Sequence, residues 1–184
     1  MSIQHKGTAT IETIRLVLRR FEEKDAGDMF RNWAGDPEVC KYLSWGPYAS
    51  VDASRRRILN WIDSYRRNNV YVWVIEYKKN GNAIGSISLE IADDNAGSCE
   101  VGYCLGKEYW SQGIMTEALF AVMHFLFYEV GYQRIQAKHD VLNVASGKVM
   151  QKAGMTYAKT EQRVGIRKDG TYYDCNVYVK WKEE

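Results

Sequence analysis

A ten-residue turn, GKEYWSQGIM at 106–115, joins a predicted strand to a predicted helix. The strand spans Cys99 to Leu105, and the helix begins at Met115 or Thr116. The first N–H groups of a helix have no intrahelical acceptor and carry partial positive charge, so the turn can bind an anion such as a phosphate. Gly113 would let the backbone approach a phosphate closely or adopt a positive φ. The turn matches neither GxxxxGKS/T nor GxGxxG, and a simple connecting turn explains these residues equally well.

A carboxylate lies on the strand that leads into this turn. Along the strand, Val101, Tyr103 and Leu105 share one face, which leaves Glu100 on the opposite face. Glu100 therefore points toward a cleft or toward solvent. Both a chemical role and an ordinary surface position are open to it.

Composition and charge argue against several classes of protein. The chain has 184 residues and is 46% hydrophobic, which suits one domain with a sizeable core. Its net charge of +2 is too close to balance to indicate a nucleic-acid or membrane partner. No apolar run approaches the roughly 18 residues that span a bilayer, and the N-terminal residues lack an apolar targeting core. We therefore expect a cytoplasmic protein.

The cysteines and histidines give no metal-ligand pattern. The chain has four cysteines, Cys40, Cys99, Cys104 and Cys175, and none of them forms a CxxC pair. His124 and His139 have no companion ligand at metal-binding spacing. We expect reduced thiols and no metal site.

The other elements indicate one α+β domain over residues 1–184. Only two prolines occur, and no Gly/Ser linker interrupts the chain. Beside the elements above, we predict strands at Ile11 to Leu18, Tyr71 to Tyr77, Ile84 to Ile91, Arg134 to His139 and Tyr173 to Trp181, and helices at Thr116 to Val130 and Ala145 to Ala153. Two further helices precede the second strand. Asn80-Gly81 and Asp169-Gly170 are predicted to turn two hairpins. Strands grouped apart from helices are typical of a layered α+β fold.

Four segments resemble one enzyme family in their sequence and order. They are TIRLVLRRFEEKDAGDMF, DPEVCKYL, EVGYCLGKEYWSQGIMTEAL and NVASGKVMQKAGM. They are similar to the GNAT superfamily of N-acetyltransferases, particularly the branch with the ribosomal-protein N-terminal acetyltransferases, and the resemblance covers nearly the entire chain. It implies a mixed, mostly antiparallel sheet of six to seven strands flanked by about four helices. It also implies that acetyl-coenzyme A (acetyl-CoA) is the cosubstrate and that no metal is needed.

In that superfamily the turn reads Q/R-x-x-G-x-G/A, and its amides hold the pyrophosphate of coenzyme A. Here Gly113 is retained, whereas Trp110 replaces the usual Gln or Arg and Met115 replaces the small residue. Main-chain N–H groups make most of the contacts, so these changes are tolerable. The residues that the resemblance implies at the cofactor are Leu105, Trp110, Ser111, Gln112, Gly113, Ile114, Met115, Thr116, Asn143 and Ser146. Asn143 and Ser146 could instead cap the short helix, and Lys148 and Lys152 could meet phosphates or only solvent.

The implied reaction is the attack of a neutral amine on the thioester. A positioned carboxylate that removes the amine proton contributes about 10²- to 10⁴-fold, and Glu100 is our first choice, ahead of Glu76 and Glu90. The tyrosine that many members use to protonate the thiolate is missing, since Val149 and Met150 occupy that region. Ser146 matches a serine with the same suspected role in the ribosomal-protein branch. Ser146 could protonate the thiolate or could only bind the cofactor.

The resemblance implies that the acceptor is a primary amine, either a protein N-terminal residue or a small molecule. Two alternatives remain open: a non-catalytic module that binds coenzyme A or acyl-CoA, and an interaction protein that uses its aromatic surface. Many proteins of this fold dimerise, which leaves a homodimer open.

Overall fold

A computed structural model describes residues 2–167 and 170–183 of the chain. Eight strands form one sheet in the order β1-β2-β3-β4-β5-β6-β8-β7. The strands are β1 Ile11–Glu12, β2 Leu16–Arg19, β3 Val72–Tyr77, β4 Asn82–Asp93, β5 Ser98–Leu105, β6 Arg134–Asp140, β7 Thr156–Ile166 and β8 Tyr172–Trp181. The helices are α1 Ala26–Met29, α2 Val51–Ser64, α3 Ile114–Phe125 and α4 Val144–Lys152, with wider π-type turns at Phe30–Ala34 and Leu126–Val130.

The sheet has one strand more than the upper limit of our expectation. The predicted strand from Ile11 to Leu18 is two strands, because Thr13 turns the chain back on itself. The Thr13 hydroxyl oxygen accepts a hydrogen bond from the Leu16 N–H at 3.0 Å, and Ile11 then pairs with Leu18. The mixed sheet, its mostly antiparallel pairing and the four helices are confirmed. The predicted turn at Asp169-Gly170 lies partly outside the described residues, since Asp169 is not among them.

Helices cover both faces of the sheet. On one face α3 and α4 pack on the larger core, where Trp73, Ile87 and Leu119 are fully buried. On the other face α1 and α2 pack on a smaller core around Trp33 and Ile58. Each buried side chain of this size contributes about 1.5–3 kcal/mol relative to exposure. The two cores hold the central strands in a fixed position between the helices.

Helix α3 follows from its apolar spacing and its ends. Leu119, Val122, Met123 and Leu126 recur on one face and are buried. After the π-type turn, Gly131 ends the helical region with a φ of 103°. A left-handed residue at this position is a common helix C-cap because glycine adopts it without strain.

Strands β5 and β6 separate soon after they begin to pair. In the described chain their parallel pairs are Ser98↔Arg134, Cys99↔Ile135 and Glu100↔Gln136. Beyond these pairs, 101–105 of β5 pair with β4, and 137–140 of β6 pair with β8. The two strands therefore diverge toward their carboxyl ends and leave a gap in the middle of the sheet. The resemblance to the GNAT superfamily also implies that these two strands diverge, and their pairing confirms it.

The end of β5 is held by close backbone contact at Gly106. Its N–H donates to the Ile84 carbonyl oxygen at 2.8 Å. A Cβ atom at this position would lie 2.7 Å from the Asn32 carbonyl oxygen and 3.2 Å from the Ile84 carbonyl oxygen. Only glycine allows the region after α1 and strand β4 to come this close to the end of β5.

Replacement of Gly106 by alanine should destabilise the fold. We expect G106A to lower the free energy of unfolding by about 1–3 kcal/mol, because the new methyl group forces backbone apart. Chemical denaturation measures the change. The matched control is G27A in α1, where a Cβ meets nothing within 4 Å and alanine should be neutral or stabilising by about 0.5–1 kcal/mol. Equal stability of the two variants would contradict this prediction.

Candidate functional site

A cleft of about 610 Å³ opens where β5 and β6 separate. Its walls come from four segments: the end of β5, the turn before α3, the start of α4, and the loop between α1 and α2. The residues that line it include Glu38, Tyr42, Leu43, Tyr103, Cys104, Leu105, Trp110, Ser111, Gly113, Thr116, Asn143, Ser146, Lys148 and Lys152. Most of the residues that we predicted at a cofactor therefore lie around one cavity.

The turn before α3 has the conformation of an anion-binding loop. Gly113 has a φ of 74°, and Ser111, a non-glycine residue, has a φ of 60°. Left-handed residues next to right-handed ones direct successive N–H groups into one concavity. The first N–H groups of α3, from Ile114 onward, point into the same space because they have no intrahelical acceptor. The turn can therefore hold a phosphate through its backbone.

Two side chains in this turn are used to build it. The Trp110 indole N–H donates to the Leu105 carbonyl oxygen at 2.7 Å, and the Gln112 side-chain amide donates to the Glu108 carbonyl oxygen at 2.7 Å. Trp110 thus ties the turn to the end of β5. This contact explains how an aromatic residue serves where the family has Gln or Arg. Both side chains therefore support the loop.

The N-terminal segment holds the turn from outside. The Arg15 guanidinium donates to Glu117 at 2.7 Å and to the Gln112 carbonyl oxygen at 2.8 Å. Glu117 also accepts hydrogen bonds from the Thr13 hydroxyl and the Arg15 N–H. Burial alone would raise the pKa of Glu117, but these hydrogen bonds outweigh it and lower the pKa below its usual value. Arg15 therefore neutralises a carboxylate in the first turn of α3 that would otherwise repel a phosphate.

The main chain of β5 offers hydrogen-bonding groups to the gap. Backbone bonds in an antiparallel pair alternate between the two sides of a strand. Since the Gly106 N–H bonds to Ile84 of β4, the N–H and C=O groups of Tyr103 and Leu105 face away from β4. The Leu105 carbonyl oxygen already accepts a hydrogen bond from the Trp110 indole N–H. The other groups can pair with an extended ligand that contains amides.

Helix α4 begins one residue earlier than predicted, at Val144, and Asn143 is its cap. The Asn143 side-chain oxygen accepts from the Ser146 N–H at 3.3 Å. Asn143 therefore has the capping role that we left open, and it also lines the cleft. Ser146 lies inside the helix instead of capping it, and its hydroxyl oxygen lies 3.0 Å from the Tyr103 phenol oxygen.

Glu100 does not line this cleft. Its carboxylate accepts from the Gln136 side-chain amide at 2.7 Å and pairs with Lys138 at 3.1 Å, and the residue is only 6% exposed. Both oxygens are engaged at the end where β5 and β6 still pair. The catalytic role of Glu100 stays a prediction, but the contacts favour a structural role.

The two rival carboxylates have different environments. Glu76 pairs with Arg19 at 2.7 Å. Glu90 is exposed and occupies the β-bulge where the β4–β5 register shifts between Leu89 and Ile91. A Cβ added to Gly102 would lie 3.2 Å from a Glu90 carboxylate oxygen. Bulges often redirect side chains beside active sites, and this one directs Glu90 over β5 just beyond its last pair with β6.

Three residues of the site were missed by sequence reasoning. Tyr103 was assigned to an apolar stripe, Cys104 was treated as a bland thiol, and Arg15 received no role. Tyr103 had a local signal, because a buried tyrosine hydroxyl needs a hydrogen-bond partner. The sequence alone gave no signal for Arg15, because its partner Glu117 is 102 positions away.

The described residues provide no cluster of three or more His, Cys, Asp or Glu side chains that could hold a metal ion. None of the helices in residues 2–167 and 170–183 has the length and apolar character needed to cross a bilayer. The cleft is lined by apolar side chains, hydroxyls, two lysines and one carboxylate, and strand β5 and the turn before α3 add backbone amides. These groups fit an elongated ligand that carries amides at one end and phosphates at the other.

Comparisons with known proteins agree with this arrangement. Residues 15–156 match the family model described as an acetyltransferase (GNAT) domain. The uncharacterized N-acetyltransferase p20 of Bacillus licheniformis is 31% identical over 84% of this chain and 90% of its own length. The putative ribosomal N-acetyltransferase YdaF of Bacillus subtilis is 27% identical, with 94% and 92% covered. Among solved structures, RimL, a ribosomal α-N-protein acetyltransferase in complex with coenzyme A, superposes with a TM-score of 0.83 at 22% identity, with 94% and 98% covered.

Loss of the Arg15 guanidinium should weaken phosphate binding at the turn. We expect R15M to raise the Kd for coenzyme A about tenfold, equivalent to about 1.4 kcal/mol, because the Glu117 carboxylate is then left unpaired beside the phosphate site. Isothermal titration calorimetry measures the change.

The matched control is K78M. Lys78 pairs with Glu12 on the same N-terminal segment and bonds to the Thr13 carbonyl oxygen. Its loss should leave the Kd for coenzyme A within about twofold of the parent, since one exposed ion pair contributes little. An unchanged Kd in R15M as well would contradict the role given to Arg15.

Proposed function

This chain belongs to the GNAT acetyltransferase family, and we propose that it transfers an acetyl group to the α-amino group at a protein N-terminus. Acetyl-CoA is the acetyl donor, as in the rest of the family. The alternative of a non-catalytic coenzyme A-binding module is not favoured, because the relatives are named as N-acetyltransferases.

The proposed donor site uses the backbone of two segments. The amides of 111–116 would hold the pyrophosphate, and the groups of Tyr103 and Leu105 that face the gap would pair with the pantetheine arm. Lys148 and Lys152 line the same cleft and supply positive charge next to the turn. When bound, the donor supplies an activated carbonyl as a thioester. This chain must orient that carbonyl, admit an amine and manage one proton.

The acceptor assignment rests on the small number of carboxylates that line the cleft. Among the described residues that line it, Glu38 is the one carboxylate, and it pairs with Lys107 at the exposed rim. Such a cleft suits an amine that loses its proton to water easily. An α-amino group, with a pKa of about 7.7–8.0, is neutral in about one molecule in ten at pH 7, whereas a lysine amine, with a pKa near 10.4, is neutral in fewer than about one in a thousand. The names of YdaF and RimL support the same class of acceptor.

The amine proton can leave through water with help from Glu90. This carboxylate is exposed at the bulge over Gly102, and the Ser88 hydroxyl donates to one of its oxygens. A carboxylate that acts through water can accept a proton without touching the amine. Glu90 is therefore the residue that we propose in place of Glu100.

The environment of Cys104 favours direct attack by the amine. Burial raises the pKa of the Cys104 thiol to about 11, although a contact with Ser86 opposes the shift. The thiol therefore stays protonated at neutral pH, and a protonated thiol is a poor nucleophile. An acetyl-cysteine step is not needed, because the amine can attack the thioester itself.

A panel of amine acceptors tests the proposed acceptor. One peptide carries a free α-amino group and no lysine, a second has a blocked N-terminus and one lysine, and spermidine represents small amines. Thiol release from acetyl-CoA, with product mass, measures turnover. We expect the first peptide to have a kcat/KM at least about tenfold above the others. The value should rise with pH and level off above about pH 9, where nearly all of the α-amine is neutral. Preference for the blocked peptide or for spermidine would contradict the proposal.

Replacement of Glu100 separates catalysis from structure. We expect E100Q to keep kcat/KM within a few-fold of the parent and to lower the free energy of unfolding by about 1–3 kcal/mol, because a charge-assisted pair with Lys138 is lost. The control is E161Q, which removes the exposed pair with Lys159 and should change stability by less than about 1 kcal/mol. A hundredfold loss of kcat/KM in E100Q at unchanged stability would make Glu100 the base.

A further inference from the structure

A tyrosine and a serine meet across the gap between β5 and β6. The Tyr103 phenol oxygen lies 3.0 Å from both the Ser146 carbonyl oxygen and the Ser146 hydroxyl oxygen, so the phenol proton can reach either one. Tyr103 comes from β5 and Ser146 from the first turn of α4. Both residues line the cleft. This contact joins the two sides of the gap where their backbones no longer pair.

The contact sets the position of the serine hydroxyl. A serine inside a helix commonly donates to the carbonyl four residues earlier, which turns the hydroxyl along the helix. The Ser146 hydroxyl instead contacts the Tyr103 phenol. Burial raises the pKa of Tyr103 well above its usual value, so the phenol keeps its proton at every working pH. When the phenol gives its one proton to the serine hydroxyl oxygen, the hydroxyl is held at the cleft wall and the serine proton is free for another acceptor.

The departing sulfur needs a hydrogen-bond donor at this wall. When the new C–N bond has formed and the C–S bond breaks, the electron pair of that bond stays on sulfur as a thiolate. A thiol has a pKa near 8.5, far below that of either hydroxyl, so neither hydroxyl gives up its proton to the thiolate. The amine proton leaves to water, and the released thiolate takes a proton from water. A fixed O–H group aimed at sulfur stabilises this charge without any proton transfer.

We propose that Tyr103 is a positioning residue that holds the Ser146 hydroxyl as a hydrogen-bond donor to the departing sulfur of coenzyme A. This inference rests on the proposed function, because it concerns the leaving group of the same reaction. Two neutral hydroxyls from different elements then stabilise the departing thiolate, in place of one acid residue that would protonate it.

Two donors with different leaving groups test the pair. Acetyl-CoA is compared with its selenoester analogue, whose selenolate is less basic and needs less stabilisation. In single-turnover measurements with acetyl-CoA, we expect Y103F to lower the acyl-transfer rate about tenfold and S146A to lower it at least as much. The Y103F/S146A double variant should be no slower than S146A, because Tyr103 acts through Ser146. With the selenoester, all three variants should come within about threefold of the parent.

The matched control is Y178F. The Tyr178 hydroxyl accepts a hydrogen bond from Gln151 of the same helix at 3.1 Å, and it does not line the cleft. Loss of this hydroxyl should leave the rates with both donors unchanged, and thermal unfolding checks that each variant is folded.

The outcomes separate the inference from the proposed function. If Y103F matches the parent with acetyl-CoA, or if its defect is the same with both donors, the positioning role is wrong while the transfer reaction stands. If the parent protein itself transfers no acetyl group to an α-amine, the proposed function fails, and the inference fails with it. A defect in Y103F that shrinks with the selenoester, together with an inert Y178F, establishes the role.

Discussion

The site depends on one interruption of the sheet, the loss of pairing between β5 and β6 after Glu100↔Gln136. Each backbone hydrogen bond contributes a net of about 0.5–1.5 kcal/mol, so unpaired edges inside a sheet are costly. Side chains recover part of this loss, since the Trp110 indole caps the Leu105 carbonyl oxygen and Tyr103 reaches across to Ser146. The remaining groups of β5 stay directed into the gap. The same interruption thus creates the cleft and supplies the polar groups that can hold an elongated donor.

Contacts with neighbouring segments hold both ends of the gap. Where the strands still pair, Glu100 binds Gln136 and Lys138 on β6 and closes the joined end. At the open end, Gly106 lets β4 and the region after α1 press against the end of β5. Arg15 fixes the anion-binding turn from the N-terminal segment. Glu100 and Arg15 therefore use their charges to hold the frame around the gap.

Local patterns predicted much of this arrangement. The alternation of β5, the glycine at the turn and the apolar spacing of α3 depend on neighbouring residues, and the strand, turn and helix lie where these patterns placed them. Contacts between distant segments could not be predicted in the same way. The partners Arg15 and Glu117 are 102 positions apart, and Tyr103 and Ser146 are 43 apart. Strand parity correctly put Glu100 on the face opposite Val101, but parity does not say whether that face is open. The pairing with β6 brought Lys138 to it, so a carboxylate expected to face a cleft or solvent lies in a buried ion pair.

Amide hydrogen exchange with and without coenzyme A is the most direct test of the central claim, that the donor lies in the gap between β5 and β6. Bound coenzyme A should slow exchange at three places: the Tyr103 and Leu105 amides, the amides of 111–116, and the first turn of α4. Exchange in the β7–β8 hairpin should stay the same. Saturating coenzyme A that leaves the Tyr103 and Leu105 amides unprotected, or that protects the hairpin instead, would contradict the account.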